Sequence, residues 1–156
     1  MGKAVLISIR PEWVKKILAG EKTLEVRKTR PNMETPFKVY IYCTAGNLSY
    51  KVNGGMVCNV SGGKIVVGEF VCDTYVTDKT FGHDALFNAA ACMSEPDVVA
   101  YSAGTTLYGW HISNLKVYDT PKPLSAFKGL RKTKFGYAPV EIKHPPQSWC
   151  YVEELK

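Results

Sequence analysis

Apolar and polar positions alternate over several short stretches of the chain, which predicts a protein built mainly from strands. Residues 4–9 form a short apolar run that is typical of a buried strand. Residues 23–28 alternate strictly, so the apolar side chains share one face and the charged side chains share the other. Four further ranges have the composition of strands: 37–44, 64–76, 107–118 and 147–153. The pattern therefore predicts five or six strands.

Helical features are confined to two or three short segments. Pro11 opens a helix, where its missing N–H costs nothing, and Gly20 closes it. Residues 84–93 are predicted to form a second helix, and a third short turn starts near Pro96. These helices are too short and too few to alternate regularly with the strands.

Glycine and proline mark the breaks between these elements. Residues 45–63 contain five glycines and are read as a hairpin-like excursion or a long loop. Gly68 indicates a bulge or bend within its strand. Pro121 and Pro123 are expected to end the strand over 107–118, and residues 125–143 are basic and are expected to be irregular.

The connections between strands are long and are mostly not of the strand–helix–strand type. This organisation favours the α+β class, as a small mixed or antiparallel β-barrel with two or three short helices at its ends. A length of 156 residues predicts one domain over residues 1–156.

Composition places the chain among ordinary globular proteins. Hydrophobic residues make up 46% and charged residues 22%, which excludes a disordered tail, a collagen-like chain and a disulfide miniprotein. No uncharged apolar run approaches the roughly 20 residues that a membrane span needs. The first residues do not resemble a signal peptide, so a cytoplasmic protein is expected.

Charge and cysteine content narrow the classes of ligand. Twenty Lys and Arg against fourteen Asp and Glu give a net charge of +6, which suits a polyanion such as nucleic acid. The five cysteines are widely spaced without a C-x-x-C pair, which is typical of reduced thiols. The three histidines are isolated and no carboxylates cluster, so no dedicated metal site is expected, although a substrate could bring a weakly bound Mg²⁺. No cofactor is predicted.

Residues 20–27 carry the clearest candidate chemistry. Lys22 lies in the turn after the first helix, while Glu25 and Arg27 project from the same face of the strand that follows. Such a carboxylate stays ionised and holds the cations in place for an anionic or polar ligand. In a dry pocket Lys22 would lose its proton more readily and could act as a base. The alternative is a surface ion network of roughly 0–1 kcal/mol.

The pattern Gly-x-Lys-x-x-Glu-x-Arg, after a strand and a short helix, resembles the signature of the ASCH (activating signal cointegrator homology) domain family, whose members have a PUA-like β-barrel fold. Further landmarks of the resemblance follow in order along the chain: Ser8-Ile9-Arg10-Pro11, Tyr40-Ile41-Tyr42-Cys43-Thr44, Val67-Gly68-Glu69-Phe70, Tyr108-Gly109-Trp110-His111-Ile112 and Pro146-Gln147-Ser148-Trp149.

The resemblance implies that RNA or a modified nucleotide binds in a cleft near this motif. One branch of the family hydrolyses the acetyl amide of N4-acetylcytidine with a motif lysine, a threonine three residues later and a glutamate elsewhere. Lys22 matches the lysine, but Glu25 stands at the threonine position and Thr23 is out of register. The same amidohydrolase mechanism is therefore not expected. A second branch resembles a metal-dependent ribonuclease, whose tyrosine and serine have no assigned counterparts here.

Several residues outside the motif are candidates for nucleic-acid contacts. Arg10 precedes the first helix, whose N-terminus attracts anions. A basic run at 128–134, followed by Phe135 and Tyr137, could bind an RNA backbone, or its aromatic rings could pack on the core. His111 could bind a base edge or be structural. The complete set of candidate binding residues is Arg10, Lys22, Arg27, Lys28, Thr44, Arg131, Lys132, Lys134, Gln147, Ser148 and Trp149.

Three functions follow as hypotheses. The first is binding of RNA or a modified nucleotide by a monomer or weak homodimer. The second is a hydrolase acting on a nucleoside amide or RNA, in which Lys22, Glu25 and Arg27 would be the catalytic residues. The third is a protein-interaction module that meets an acidic partner through its basic surface.

Overall fold

The computed structural model describes residues 2–52, 55–77 and 85–156. In this part of the chain the helices are α1 (Pro11–Leu18), α2 (Ala85–Ala91) and α3 (Glu95–Ser102), with a single 3-10 turn over Leu124–Ala126. The strands are β1 (Lys3–Ile9), β2 (Leu24–Arg27), β3 (Phe37–Cys43), β4 (Leu48–Lys51), β5 (Val57–Val60), β6 (Ile65–Thr77), β7 (Tyr108–Pro123), β8 (Lys128–Thr133), β9 (Gly136–Glu141) and β10 (Trp149–Glu153). None of these helices is long and apolar enough to cross a membrane.

Eight strands form one mixed sheet in the order β2-β7-β6-β3-β1-β10-β8-β9. β1 and β3 run parallel, and the other neighbours are antiparallel. β4 and β5 form a separate two-stranded sheet. The predicted α+β class with a mixed sheet and short helices is confirmed. No strand ladder joins the two ends of the large sheet in the described residues.

Alternation along the strands places apolar side chains on both faces of the sheet. The main core gathers residues from across the sheet and from α1, including Val5, Ile17, Phe70 and the fully buried Trp110. Behind β2, a smaller core joins its apolar face to α2 and α3: Leu24, Val26, Phe87, Ala91, Val98 and Leu107. The charged face of β2 therefore points away from the helices that cover its apolar face.

The most glycine-rich region and the basic region are both more regular than the pattern indicates. Residues 45–63 contain the β4–β5 pair, although 53–54 lie outside the described residues. The prediction that 125–143 is irregular is wrong, because β8 and β9 pair from end to end. At the turn, the Thr133 hydroxyl donates to the Gly136 carbonyl at 2.8 Å and accepts from the Phe135 N–H at 3.2 Å. Most side chains of this hairpin are exposed, so its sequence lacks the apolar alternation that would have predicted the two strands.

Two boundaries differ from the pattern for identifiable reasons. β7 continues through Pro121 to Pro123, which pairs with Ile65 of β6. β2 pairs with β7 only over Tyr108–His111, so the two prolines lie on an open edge where a missing N–H is tolerated. The predicted second helix is observed from Ala85, and residue 84 lies outside the described part of the chain.

The expected irregularity at Gly68 is confirmed. The register between β6 and β7 shifts between Val66 and Gly68. A Cβ atom on Gly68 would lie 2.6 Å from the Lys116 carbonyl oxygen, so a larger residue would push β7 away. The bulge lets β6 curve while it stays paired with both neighbours.

A gap separates two parts of the barrel. On one side lie β2 and the segment that follows it, and on the other side lies the first half of β10; we call this gap the seam. Side chains bridge it where no strand ladder does. The Trp149 indole N–H donates to the Thr29 hydroxyl at 3.0 Å, and the Asn32 N–H donates to the Tyr151 hydroxyl at 2.9 Å. The sheet thus curls into an open barrel whose two sides meet through side chains.

Candidate functional site

A cleft of about 910 Å³ opens at the end of the sheet where β1 and β3 finish. Its walls come from these strand ends, β2, the start of α1, the α2–α3 region and the segment before β10. The lining residues include Ser8, Arg10, Trp13, Lys22, Glu25, Arg27, Tyr42, Thr44, Lys64, Met93, Asp97, Tyr101, Pro146 and Gln147. The cleft therefore contains all three charged residues of the sequence motif.

Lys22 is buried, and its ammonium group is directed at the end of a helix. Its Nζ donates to the carbonyl oxygen of Ala91 at 2.5 Å, and Ala91 is the last residue of α2. The same Nζ lies 5.0 Å from the centre of the Trp13 ring. The last carbonyls of a helix lack partners within it and attract cations, so Lys22 caps α2. Burial lowers the pKa of Lys22, and the charge of Glu25 opposes this shift.

Glu25 is only 6% exposed although it lines the cleft. Its Oε1 accepts a hydrogen bond from Nε of Arg27 at 3.1 Å. Its Oε2 is buried and has no hydrogen-bond partner. Of the described ion pairs, the one made by Glu25 joins it to Arg27 and not to Lys22. The predicted cluster is thus a tight carboxylate–guanidinium pair, with the amine turned toward α2.

Arg27 uses its remaining donors to connect β2 with the other side of the seam. Nη1 donates to the Ser148 hydroxyl at 3.1 Å, and Nη2 donates to the Ser8 carbonyl at 2.7 Å. Ser8 in turn donates from its hydroxyl to the Pro146 carbonyl at 2.6 Å. The guanidinium is planar and its donors are fixed in direction, so it holds Glu25, β1 and the segment before β10 in one arrangement.

Exposed cations stand at the mouth of the cleft. Arg10 and Lys64 are both exposed and both line it. Lys28 is exposed, and its Nζ lies 5.1 Å from the centre of the Tyr101 ring, which also lines the cleft. Thr44 is half-buried on the same wall. A ligand in the cleft would therefore meet the rings of Trp13 and Tyr101 together with exposed cations and the exposed carboxylate of Asp97.

A strained turn places Lys64 at this entrance. Lys64 has φ of 62°, in the left-handed region that residues with a side chain rarely adopt. Its N–H donates to the Cys43 carbonyl at 2.8 Å, which fixes the turn against the end of β3. Gly63 also has a positive φ, and a Cβ atom there would collide with the Thr44 carbonyl oxygen. Only glycine fits this approach, and it brings the Lys64 backbone beside Thr44.

The basic residues of the β8–β9 hairpin form a separate surface. Arg131, Lys132 and Lys134 are exposed, and none of them is among the residues that line the cleft. Phe135 at the hairpin turn is 90% exposed, and Nζ of Lys134 lies 5.5 Å from its ring centre. Tyr137 behaves differently: its ring packs against Tyr151 at 5.9 Å between centres. One aromatic ring of the basic run is therefore free for contacts, and the other is packed.

The three consecutive residues 147–149, which lead into β10, have different surroundings in the structure. Gln147 is exposed and lines the cleft, whereas Ser148 accepts the bond from Arg27. Trp149 packs edge-on between Trp110 and Tyr151, with ring centres 5.9 and 5.4 Å away. The indole therefore belongs to the seam.

His111 lies outside the cleft. Its Nδ1 is 2.6 Å from Oδ1 of Asp73, and both side chains are more than two-fifths exposed. Within the described residues, no group of three or more His, Cys, Asp or Glu is placed to hold a metal ion.

Sequence reasoning missed several residues that line the cleft, among them Trp13, Lys64, Asp97 and Tyr101. Trp13 follows the apolar stripe of α1 and does pack against the core, but its ring also reaches the cleft. Lys64 could have been found from the Gly62-Gly63 pair that precedes it, since paired glycines announce a turn with unusual backbone angles. Asp97 and Tyr101 lie on α3, whose position against β2 no local pattern reveals.

Comparison with known proteins finds similarity in structure but not in sequence. No protein-family model matches the chain, and no curated protein matches it. The crystal structure of ASCH from Zymomonas mobilis matches with a TM-score of 0.59 and 19% identity, covering 97% of this chain and 88% of that chain. A Tyr-to-Phe variant of that protein matches with a TM-score of 0.60 and 18% identity, covering 97% and 91%. A Ser-to-Ala variant matches with a TM-score of 0.56 and 20% identity, covering 97% and 89%.

The chain is thus a protein of the α+β class, with a curled mixed sheet and a charged cleft at one end. Within that class it has an ASCH-type fold, and the resemblance inferred from the motif is confirmed at the level of the fold.

Proposed function

We propose that the cleft binds one nucleotide of an RNA, or a free modified nucleotide. The observation that carries this proposal is that aromatic rings, Trp13 and Tyr101, and exposed cations, Arg10 and Lys64, line one cleft of about 910 Å³. Small-molecule sites typically occupy about 300–1,000 Å³, so a nucleoside fits. The ASCH-type fold is compatible with RNA binding.

The two ends of the cleft suit the two ends of a nucleotide. Trp13 and Tyr101 offer ring surfaces on which an unpaired base can stack. Arg10 and Lys64 are exposed at the entrance, where a phosphate would retain much of its hydration. Thr44 and Gln147 add hydrogen-bonding groups to the lining. In this arrangement the base enters and the phosphate remains outside.

The β8–β9 hairpin supplies a second contact in this proposal. Arg131, Lys132 and Lys134 would neutralise backbone phosphates next to the bound nucleotide. Phe135 would stack on an adjacent unpaired base, because it is almost fully exposed at the turn. Binding would then favour a single strand longer than one nucleotide over a free nucleotide.

The test is fluorescence-anisotropy titration of labelled single- and double-stranded RNA and DNA at two salt concentrations. Arg10→Gln/Lys64→Gln should weaken binding and reduce the slope of log affinity against log salt by roughly 1.4, which is about 0.7 per phosphate contact on a single strand. The control, Lys15→Gln/Lys51→Gln, removes two exposed lysines that do not line the cleft. Equal losses in both variants would contradict a specific role for the entrance. If none of the probes binds, RNA is not the ligand, and an acidic protein partner becomes the next hypothesis.

A second candidate, hydrolysis of a nucleoside amide or of RNA, is favoured by the lowered pKa of Lys22. When the Lys22 amine is in its neutral form, it can donate one N–H to Ala91 and keep a lone pair that accepts a proton from water. Mass analysis of the same RNA probes, and of an N4-acylated cytidine, after incubation tests this candidate. Product that wild type forms and Lys22→Met does not would support hydrolysis. Probes that stay intact with wild type would contradict hydrolysis, and binding alone would then be the function proposed.

A further inference from the structure

Glu25 carries an unpaired hydrogen-bond acceptor inside the cleft. Three buried side-chain oxygens of the described chain lack a partner: Glu25 Oε2, Tyr50 Oη and Tyr75 Oη. The two tyrosines are not among the lining residues, whereas Glu25 is. A hydroxyl without a partner can still rotate toward one, but an ionised carboxylate oxygen can only accept. The unsatisfied oxygen of Glu25 is therefore the most costly of the three.

The protein holds this carboxylate so that it cannot satisfy itself. Oε1 is bound to Arg27, and Arg27 is fixed by Ser8 and Ser148. The nearby amine of Lys22 is engaged with the Ala91 carbonyl at the end of α2. Rotating Glu25 toward solvent would break its bond to Arg27. Because no described side chain donates to Oε2, a group that enters the cleft beside Glu25 can supply the missing donor.

We propose that Oε2 of Glu25 accepts an N–H from the exocyclic amino group of the bound base. The cleft then selects bases with an amino group over bases with a carbonyl at the same position. This inference rests on the proposed function and adds the class of base. An amino group presents hydrogens to the carboxylate, as when Glu or Asp accepts from the amino group of cytosine. A carbonyl there would face the carboxylate acceptor to acceptor.

The test uses labelled five-nucleotide RNAs that differ only in the central base, cytosine against uracil and adenine against hypoxanthine. Each pair exchanges one amino group for one carbonyl and converts the adjacent ring nitrogen from an acceptor into an N–H donor. Wild type should bind the amino member of each pair about 10-fold more tightly, because mispairing leaves a buried acceptor unsatisfied. If wild type binds both members equally, the inference fails while the proposed function stands. If no RNA binds, the proposed function itself fails.

Glu25→Gln gives a result that a purely structural role would not produce. Its amide oxygen should remain toward Arg27, which needs an acceptor, so its NH₂ would take the place of Oε2. The preference should then reverse, toward uracil and hypoxanthine. The matched control is Glu21→Gln, which removes an exposed carboxylate outside the cleft and should keep the wild-type preference. A wild-type preference that survives in Glu25→Gln would overturn the assignment, and thermal unfolding shows whether this variant folds. If it does not, the wild-type comparison alone decides.

Discussion

At the scale of single residues, Arg27 is the side chain on which the site depends most. It contacts Glu25, Ser8 and Ser148 with three different donor groups. These contacts bring β2, β1 and the segment before β10 together at the bottom of the cleft. Its first role is therefore to position other groups, and little of its hydrogen-bonding capacity is left for a ligand.

We expect Arg27→Lys to lower the free energy of unfolding by about 1–3 kcal/mol, because one ammonium cannot reach all three partners and buried acceptors are left unsatisfied. Urea unfolding measures the effect. Arg131→Lys, on an exposed hairpin residue, should change stability by less than about 0.5 kcal/mol. Similar small changes in both variants would contradict the bridging role of Arg27.

Lys22 makes stability depend on pH in a defined direction. Its pKa is lowered by burial, so between that pKa and the ordinary lysine value of about 10.4 the unfolded chain binds more protons than the folded chain. Stability contributed through Lys22 therefore rises with pH in this window. Lys22→Met cannot titrate and should lack this rise. The difference in unfolding free energy between wild type and Lys22→Met, measured from pH 7 to 10, should grow in favour of wild type; a constant difference would exclude the shift.

The sequence predicts part of this site at the residue scale. Glu25 and Arg27 lie two apart on one strand, and period-two alternation alone places them together. The direction of Lys22 could not be predicted, because its partner is a helix-terminal carbonyl 69 residues later in the chain. The contact of Arg27 with Ser148 spans 121 residues and depends on the curl of the whole sheet.

At the scale of elements, the β8–β9 hairpin is where pattern and structure diverge most. Both faces of its strands are largely exposed, so the strands lack the apolar alternation by which strands are recognised in a sequence. β1, β3 and β6 are buried and were predictable because each carries a run of apolar, β-branched and aromatic residues. Elements that contribute little to the core leave little trace in the pattern.

This hairpin should contribute to RNA affinity mainly through charge. Arg131→Gln/Lys132→Gln/Lys134→Gln should reduce the salt slope of single-strand binding by roughly 2, since each lost phosphate contact accounts for about 0.7. Lys15→Gln/Lys51→Gln/Lys116→Gln removes three exposed lysines elsewhere and serves as the control. Phe135→Ala should instead weaken binding with the slope unchanged, because stacking releases no counterions. A triple hairpin variant that binds like the control would exclude the hairpin from the interface.

At the scale of the whole molecule, a polar network ties three neighbouring strands together on the outside of the barrel. Glu69 accepts from Nζ of Lys38 at 2.9 Å and from the hydroxyl of Tyr118 at 2.8 Å. Burial raises the pKa of Glu69, but the hydrogen bonds from Lys38 and Tyr118, together with the positive charges of Lys38 and Lys116, lower the pKa overall. The stabilisation is therefore present above the ordinary carboxyl pKa of about 4.3 and is lost as the pH falls through the lowered value.

Tyr118→Phe should remove part of this stabilisation. We expect a loss of about 1.5–3 kcal/mol at pH 7, because one hydrogen bond to a charged group disappears. The difference from wild type should shrink as the pH falls through the lowered pKa of Glu69, because the carboxylate then becomes protonated. Urea unfolding across this range measures it, with Tyr137→Phe as a control on a more exposed tyrosine. A difference that stays constant with pH would show that the hydroxyl does not act through the carboxylate.

The curled sheet has one further consequence for the molecule as a whole. Along the seam, side-chain hydrogen bonds of Arg27 and Trp149 connect the two sides, whereas backbone hydrogen bonds connect neighbouring strands elsewhere in the sheet. The cleft has Glu25 on one side of this seam and Gln147 on the other. A molecule that binds both would link the two sides of the seam, where side-chain contacts take the place of a strand ladder, and would stabilise the folded protein. Binding in the cleft would therefore raise the melting temperature of the protein, and the rise would increase with ligand concentration. Heating the protein against a panel of nucleosides would therefore show which of them the cleft accepts.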